Sequence, residues 1–122
     1  MIDIQLKLAA EEFVRYLKSS QSVKKFQIAQ SVFQNNPEIL KLRENFTSLA
    51  KRYRQKEADG TLTQNDIDMV RDIQKCLNIH PITIEYAQSQ QELITMLQAC
   101  NNTISSILGF DFAATAAPTA NC

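Results

Sequence analysis

The stretch from Pro81 to Leu108 constrains the fold most, because it contains no internal glycine or proline. Proline is well tolerated at the first helical position and glycine commonly follows the last, so Pro81 and Gly109 mark the two ends of one helix. At 1.5 Å per residue this helix is about 42 Å long. A small domain does not need that length for its own core, so we expect part of the helix to bind another chain.

One set of positions along this helix recurs at alternating spacings of four and three residues, which is typical of a coiled-coil seam. We therefore predict a homo-oligomer, a dimer or higher, that forms through this seam. The seam comprises Tyr86, Gln90, Leu93, Leu97, Cys100, Ile104 and Ile107. The candidate interface residues are its apolar and thiol members, Tyr86, Leu93, Leu97, Cys100, Ile104 and Ile107.

The scarcity of glycine and proline extends the helical prediction to the whole chain. There are two glycines and three prolines, whereas β-hairpins and phosphate-binding loops need residues that tolerate positive φ. The predicted fold class is all-α, a helical bundle of about five helices with two long antiparallel helices and a long C-terminal coiled-coil-like helix. Residues 1–109 are expected to form a single domain, and residues 110–122, rich in alanine and threonine, a partly ordered tail.

Capping residues place the boundaries of the earlier helices. The first helix is expected from about Gln5 to Lys18, and Ser22 is the expected N-cap of a second, largely buried helix. The later boundaries are expected at Asn36-Pro37-Glu38, at Gly60, and at a capping-box-like pair of Thr63 and Asp66.

The net charge of zero hides an asymmetry between the two halves of the chain. Residues 1–56 carry eleven Lys and Arg against five Asp and Glu, while residues 57–122 carry two against eight. Either an antiparallel fold-back or pairing between subunits would bring these opposite charges together. Exposed ion pairs contribute only about 0 to 1 kcal/mol each, so this pattern favours register more than stability.

The sequence also indicates the compartment. No apolar run approaches the roughly 18 residues that span a bilayer, and the N-terminus lacks the basic and apolar regions of a signal peptide. The three cysteines, Cys76, Cys100 and Cys122, are odd in number and far apart, unlike a disulfide framework. We expect a cytoplasmic protein with reduced thiols and no membrane partner.

No arrangement of side chains predicts catalysis or a metal site. His80 is the single histidine, and the proline after it favours a helix-boundary role over that of a general base. Asp66, Asp68 and Asp72 suit the positive end of a helix dipole. Cys76 and Cys100 lie on predicted apolar faces, where a free cysteine packs as a small hydrophobe. We therefore predict that the protein is not an enzyme and name no catalytic residue.

The run from Lys51 to Lys56 is the most basic segment and contains one aromatic residue, Tyr53. A nucleic-acid surface combines these features, and the same cations would compensate the negative end of a helix dipole. Both interpretations stay open at this point. RNA binding through Lys51, Arg52, Arg54 and Lys56 is thus the alternative to a purely protein-binding role.

The order of these pieces resembles the YlbF/YmcA family of small helical bacterial proteins. The resemblance covers nearly the whole chain and rests on five local features. These are the serine-rich break at Ser19 to Ser22, the Asn-Asn-Pro-Glu restart at Asn35 to Glu38, the break near Gly60, the helix start at Asn78-Ile79-His80-Pro81, and the closing Ile107-Leu108-Gly109-Phe110-Asp111-Phe112.

The resemblance implies an all-helical oligomer without catalytic activity that acts as a regulatory subunit. It further implies roles in bacterial competence, sporulation and biofilm formation, through a complex that carries iron–sulfur clusters and influences ribonuclease Y and RNA maturation. Such clusters usually need four thiolates, and Cys122 is a single thiolate in the tail. We therefore expect no cofactor on the chain alone; a cluster would require partner cysteines, with Cys122 as a shared ligand.

Overall fold

The computed structural model describes residues 2–118, and within them the chain forms six α-helices and no strand. The all-α prediction is confirmed, with one helix more than the five expected. The helices are α1 (Ile4–Ser19), α2 (Gln21–Asn35), α3 (Pro37–Asp59), α4 (Gln64–Ile79), α5 (Pro81–Leu108) and α6 (Phe112–Ala116).

Local capping chemistry sets the boundaries of these helices. The Asn36 side chain accepts a hydrogen bond from the Ile39 N–H at 3.1 Å and starts α3, while Gly60 ends it with φ of 72°. The predicted cap at Ser22 is wrong. Ser20 caps α2 instead, because its hydroxyl donates to the Leu17 carbonyl at 2.6 Å and accepts from the Val23 N–H at 3.3 Å, which closes one helix and starts the next.

The helices form two antiparallel pairs that follow one another along an elongated molecule. In the first pair α2 lies along α5, where Lys25 meets Glu92 and Phe26 lies beside Tyr86. In the second pair α3 lies along α4 on either side of the turn at Gly60. Within residues 2–118 the molecule is therefore largely two helices thick, with α1 in contact with α2 and α6 in contact with α5.

This architecture leaves very little of the chain buried. Among the described residues the buried apolar side chains are Ala29 and Ile39, and the buried polar ones are Asp66 and Ser89. The expectation that α2 is largely buried is wrong, since Ala29 is its single buried residue. The accessible surface is 9580 Å², whereas a globular monomer of 13.8 kDa exposes about 6,600 Å². Far more surface faces solvent than a closed domain of this size would leave open.

The segment after α5 contains a short helix, α6, where the sequence predicts a partly ordered tail from residue 110. Gly109 takes the left-handed conformation with φ of 83°, and the chain turns into α6. Two polar side chains of α5 then hold the start of α6: the Asn101 Oδ1 accepts from the Ala113 N–H at 3.0 Å, and the Ser105 hydroxyl accepts from the Phe112 N–H at 2.9 Å. Residues 110–118 are thereby tied to α5.

Candidate interaction surface

The predicted seam of α5 is in part the face that packs within the chain. Positions on α5 that are buried or half-buried recur every three or four residues and include Tyr86, Leu93, Cys100 and Ile104 from the prediction. The remaining members of this inner stripe are Ile82, Ser89 and Met96. The true stripe therefore uses Ser89 and Met96 where the prediction placed Gln90 and Leu97.

Tyr86 is committed to packing inside the protomer. Its ring centroid lies 4.8 Å from that of Phe33 and 5.7 Å from that of Phe26, both on α2. The guanidinium of Arg43, on α3, lies over the ring of Phe33, 5.4 Å from its centroid. This cluster joins α2, α3 and α5, so the half-buried Tyr86 ring contacts side chains of its own chain.

Leu97 and Ile107 point away from the inner stripe and face solvent. Leu97 is 42% exposed, and Ile107, at 81%, is the most exposed of the large apolar side chains. Both belong to a stretch that lacks charge altogether, since no Asp, Glu, Lys or Arg occurs from residue 93 to residue 110. An exposed helix normally carries charged residues on its outer face, so this half of α5 has the composition of a covered surface.

Helix α1 lies at the same end of the molecule and is also uncovered. It has no buried residue, and its Phe13 borders an open groove of about 330 Å³ with α5. On α5 the groove is lined by Met96, Ala99, Cys100, Thr103 and Ile104. We call α1 together with residues 93–108 of α5 the distal arm.

The exposed apolar residues concentrate in the distal arm. Nineteen large apolar side chains are exposed among residues 2–118, six of them in α1 and four in residues 93–108. About half of the exposed apolar residues thus lie in about a quarter of the described chain. A second apolar groove, of about 410 Å³, lies between α2 and the start of α5, but Lys25 and Glu85 border it. The groove between α1 and α5 is the smaller of the two, but no charged residue lines it.

The basic run is divided by the fold. Lys51, Arg52 and Arg54 are exposed on α3, as a nucleic-acid surface would require. Lys56 is not available in the same way, because its ammonium lies 3.0 and 3.1 Å from the two carboxylate oxygens of Asp66 on α4. The opposite charges of the two halves of the chain favour a pairing of this kind, but which two residues meet depends on the geometry of the turn at Gly60. The predicted basic site is thus reduced to three cations.

Asp66 is the most perturbed acid of the described residues. Besides Lys56, its Oδ2 accepts hydrogen bonds from the Thr63 N–H at 3.0 Å and the Thr63 hydroxyl at 2.8 Å, which completes the predicted capping box. The hydrogen bond from Lys56, followed by those from Thr63, lowers the pKa of Asp66 from 3.8 to about 2. This carboxylate joins α3 to α4.

The lowered pKa of Asp66 predicts an acid-dependent loss of stability. The folded chain holds this carboxylate ionised down to about pH 2, whereas the unfolded chain protonates it near its ordinary pKa of 3.8. The ion pair's contribution to stability is therefore present above about pH 4 and is lost as the pH falls toward 2. We expect Asp66→Asn to have a lower urea midpoint at pH 7 and a flatter decline between pH 4 and pH 2.

Asp68→Asn is the matched control, because it removes a nearby carboxylate of α4 that lies outside this ion pair. It should keep the wild-type decline across that window. An unchanged acid profile in Asp66→Asn would contradict the assignment.

His80 is a capping residue, in agreement with the boundary interpretation. Its Nδ1 accepts from the Ile82 N–H at 3.1 Å and caps α5. The proton must then sit on Nε2, which donates to the Glu38 carboxylate at 2.9 Å. Both ring nitrogens are occupied in linking the start of α5 to the start of α3.

The cysteines do not assemble a metal site within the described part of the chain. Cys76 is exposed on α4, so its predicted apolar packing is wrong, while Cys100 is half-buried on α5. No group of three or more His, Cys, Asp or Glu side chains converges among residues 2–118, so these residues of one chain do not fit an iron–sulfur cluster. Cys122 lies outside the described residues.

None of the helices within residues 2–118 is long and apolar enough to cross a membrane.

Comparisons with known proteins agree with the resemblance noted in the sequence. The X-ray structure of Bacillus subtilis RicA in complex with RicF is similar, with a TM-score of 0.71 and 14% sequence identity over 88% of this chain and 96% of that chain. At that identity the likeness shows a common fold. No curated protein sequence matched the chain. The family model for the control of competence regulator ComK, YlbF/YmcA, matches residues 7–108. Since this match spans well over half of the chain, the protein belongs to the YlbF/YmcA family.

Proposed function

We propose that the protein is a non-enzymatic regulatory scaffold of the cytoplasm that self-associates through its long helices and binds other proteins. The observation that carries this proposal is the accessible surface of 9580 Å², about 3,000 Å² more than a closed monomer of this mass exposes. Surface of this extent and composition is characteristic of a protein that completes its core with a partner. The occupied hydrogen-bonding groups of His80 and Asp66 support a role without catalysis.

The family supports a regulatory role, and the solved complex of RicA with RicF supports protein partners for this fold. By extension we propose that the partners include other regulatory proteins, among them a ribonuclease-associated complex that acts in RNA maturation. In such an assembly a cluster would be held mainly by partner cysteines.

RNA binding remains the second candidate because Lys51, Arg52 and Arg54 are exposed together on α3. Sedimentation velocity across micromolar concentrations, at about 50 and 500 mM salt, tests self-association, and titration with single-stranded RNA at both salt concentrations tests the alternative. Apolar association should persist at high salt, whereas phosphate contacts should weaken by about tenfold or more. A monomer at every concentration would contradict the scaffold, and salt-sensitive RNA binding would support the alternative.

A further inference from the structure

We infer that the outer face of α3 binds double-stranded DNA, with this helix lying in the major groove. The inference goes beyond the proposed scaffold function and does not depend on self-association. It also differs from the RNA alternative. The exposed cations of α3 include Lys41 and Arg43, which lie outside the basic run, and Tyr53, the aromatic residue of that run, is half-buried.

The first argument is the composition of the outer face of α3. Every exposed residue from position 41 to position 55 is polar or charged. Five of them are cations and one is an acid, namely Lys41, Arg43, Lys51, Arg52 and Arg54 against Glu44. A surface of this sign attracts a polyanion. The centre of a protein–protein interface is apolar or aromatic and depleted in lysine, so an acidic protein fits this face less well than a nucleic acid.

The second argument is that the five cations are available to phosphates. Within residues 2–118 none of them forms an ion pair, whereas the ammonium of Lys56 is held by Asp66. Arg43 stacks over Phe33, and a guanidinium stacked on a ring keeps its N–H donors at its edge. The outer face of α3 is therefore both exposed and uncompensated in charge.

The third argument is the arrangement of the cations around the helix. Successive residues of an α-helix are about 100° apart. Lys41 and Arg52 therefore fall on one flank of the outer face. Arg43 and Arg54 fall on the opposite flank, about 160° away. The major groove of DNA is about 12 Å wide and admits one α-helix, so cations on both flanks can contact the phosphates of both strands.

The fourth argument is the row of polar side chains between the two flanks. Glu44, Ser48, Lys51 and Gln55 follow one another at spacings of three or four residues. Such side chains hydrogen-bond base edges in the major groove: glutamate accepts from cytosine, lysine donates to guanine, and glutamine pairs with adenine. The centre of the face is therefore suited to base edges and its flanks to phosphates.

The same face is less suited to other nucleic acids. Single-stranded binding relies on aromatic side chains on which bases stack, and no aromatic residue is exposed from position 41 to position 55. The major groove of double-stranded RNA is too deep and narrow for side chains to read. Double-stranded DNA is therefore the nucleic acid that this helix fits best.

Fluorescence anisotropy with a labelled DNA duplex two helical turns long tests the inference, beside one of its single strands and the RNA duplex of the same sequence. We expect the DNA duplex to bind about tenfold more tightly than either of the others. The slope of the logarithm of the association constant against that of the salt concentration should be about −4.5, because each phosphate neutralised contributes about −0.9.

A pair of double variants tests the assignment to α3. Arg52→Gln with Arg54→Gln removes one cation from each flank, so DNA binding should weaken by about tenfold or more and the slope should fall to about −2.7. Arg71→Gln with Lys75→Gln is the matched control, because it removes two exposed cations from α4 and changes the net charge equally. It should weaken binding by less than about threefold. Circular dichroism should show equal helicity in all three proteins.

Each other outcome overturns the inference. Absence of binding to the DNA duplex at about 50 mM salt, or an equal loss in the control variant, would show that the face of α3 is not a DNA site. Equal or tighter binding of either RNA duplex or single strand would replace DNA as the ligand. None of these results affects the scaffold proposal, which the sedimentation experiment judges separately.

Discussion

Replacing Ile39 with alanine is expected to lower the free energy of unfolding by about 3 kcal/mol. Ile39 lies in the first turn of α3, and it is the largest side chain of the described residues that is fully buried. Truncating a buried isoleucine to alanine typically costs 2 to 5 kcal/mol, because the transfer free energy is lost and a cavity remains. With so few buried apolar residues, little else in the protomer can offset this loss.

The measurement is urea denaturation followed by circular dichroism, with all proteins at one protomer concentration because association adds to apparent stability. Leu40→Ala is the matched control. Leu40 is the next residue on the same helix and is exposed, so its truncation should cost less than about 1 kcal/mol. Equal losses for the two variants would show that Ile39 is not the centre of this packing.

Enlarging Ser89 to leucine is expected to destabilise the protomer by about 3 kcal/mol. Ser89 is fully buried on the face of α5 that packs against α2, and its hydroxyl donates to the Tyr86 carbonyl at 2.8 Å within its own helix. Leucine adds two heavy atoms at this fully buried position, so the two helices must separate or the side chain must leave its preferred rotamer. Overpacking of this kind costs about 1 to 3 kcal/mol and occasionally more.

Two further variants separate size from polarity at this position. Ser89→Ala keeps the small volume and removes one local hydrogen bond, so its cost should stay near 1 kcal/mol. Gln88→Leu adds a similar apolar side chain at the exposed neighbouring position and should change stability by less than about 0.5 kcal/mol. If Ser89→Ala were as destabilising as Ser89→Leu, the hydroxyl rather than close helix packing would be the reason for serine here.

The helix boundaries could be predicted because each depends on a few neighbouring residues. Asn36, the capping box of Thr63 and Asp66, Gly60 and Gly109 all act within about four positions of themselves. The error at Ser22 arose where several serines stand together. Ser20 serves better because it can bond both to the helix behind it and to the helix ahead, a choice that depends on how the two helices meet.

The inner stripe of α5 could be predicted in part. Periodicity alone identifies Tyr86, Leu93 and Cys100, but it allows neighbouring stripes that share these positions. The structure selects the stripe with Ser89, since a small residue allows close approach of α2, and hydropathy ranks serine as a surface residue. The pairing of Lys56 with Asp66 was inaccessible for a related reason: the two charges are visible in the sequence, but their 3.0 Å contact follows from the turn.

The antiparallel arrangement about Gly60 also orders the chain's contacts by sequence separation. The contact nearest the turn, Lys56 with Asp66, joins residues 10 apart; Glu38 with His80 joins residues 42 apart; and Lys25 with Glu92 joins residues 67 apart. Once an inner contact exists, forming the next outer contact closes only the loop between the two contacts. The entropy cost of each loop closure is therefore small. The protomer can therefore fold outward from its central turn, with each contact forming after the one inside it. Helix α1 is then the last element to pack in this order.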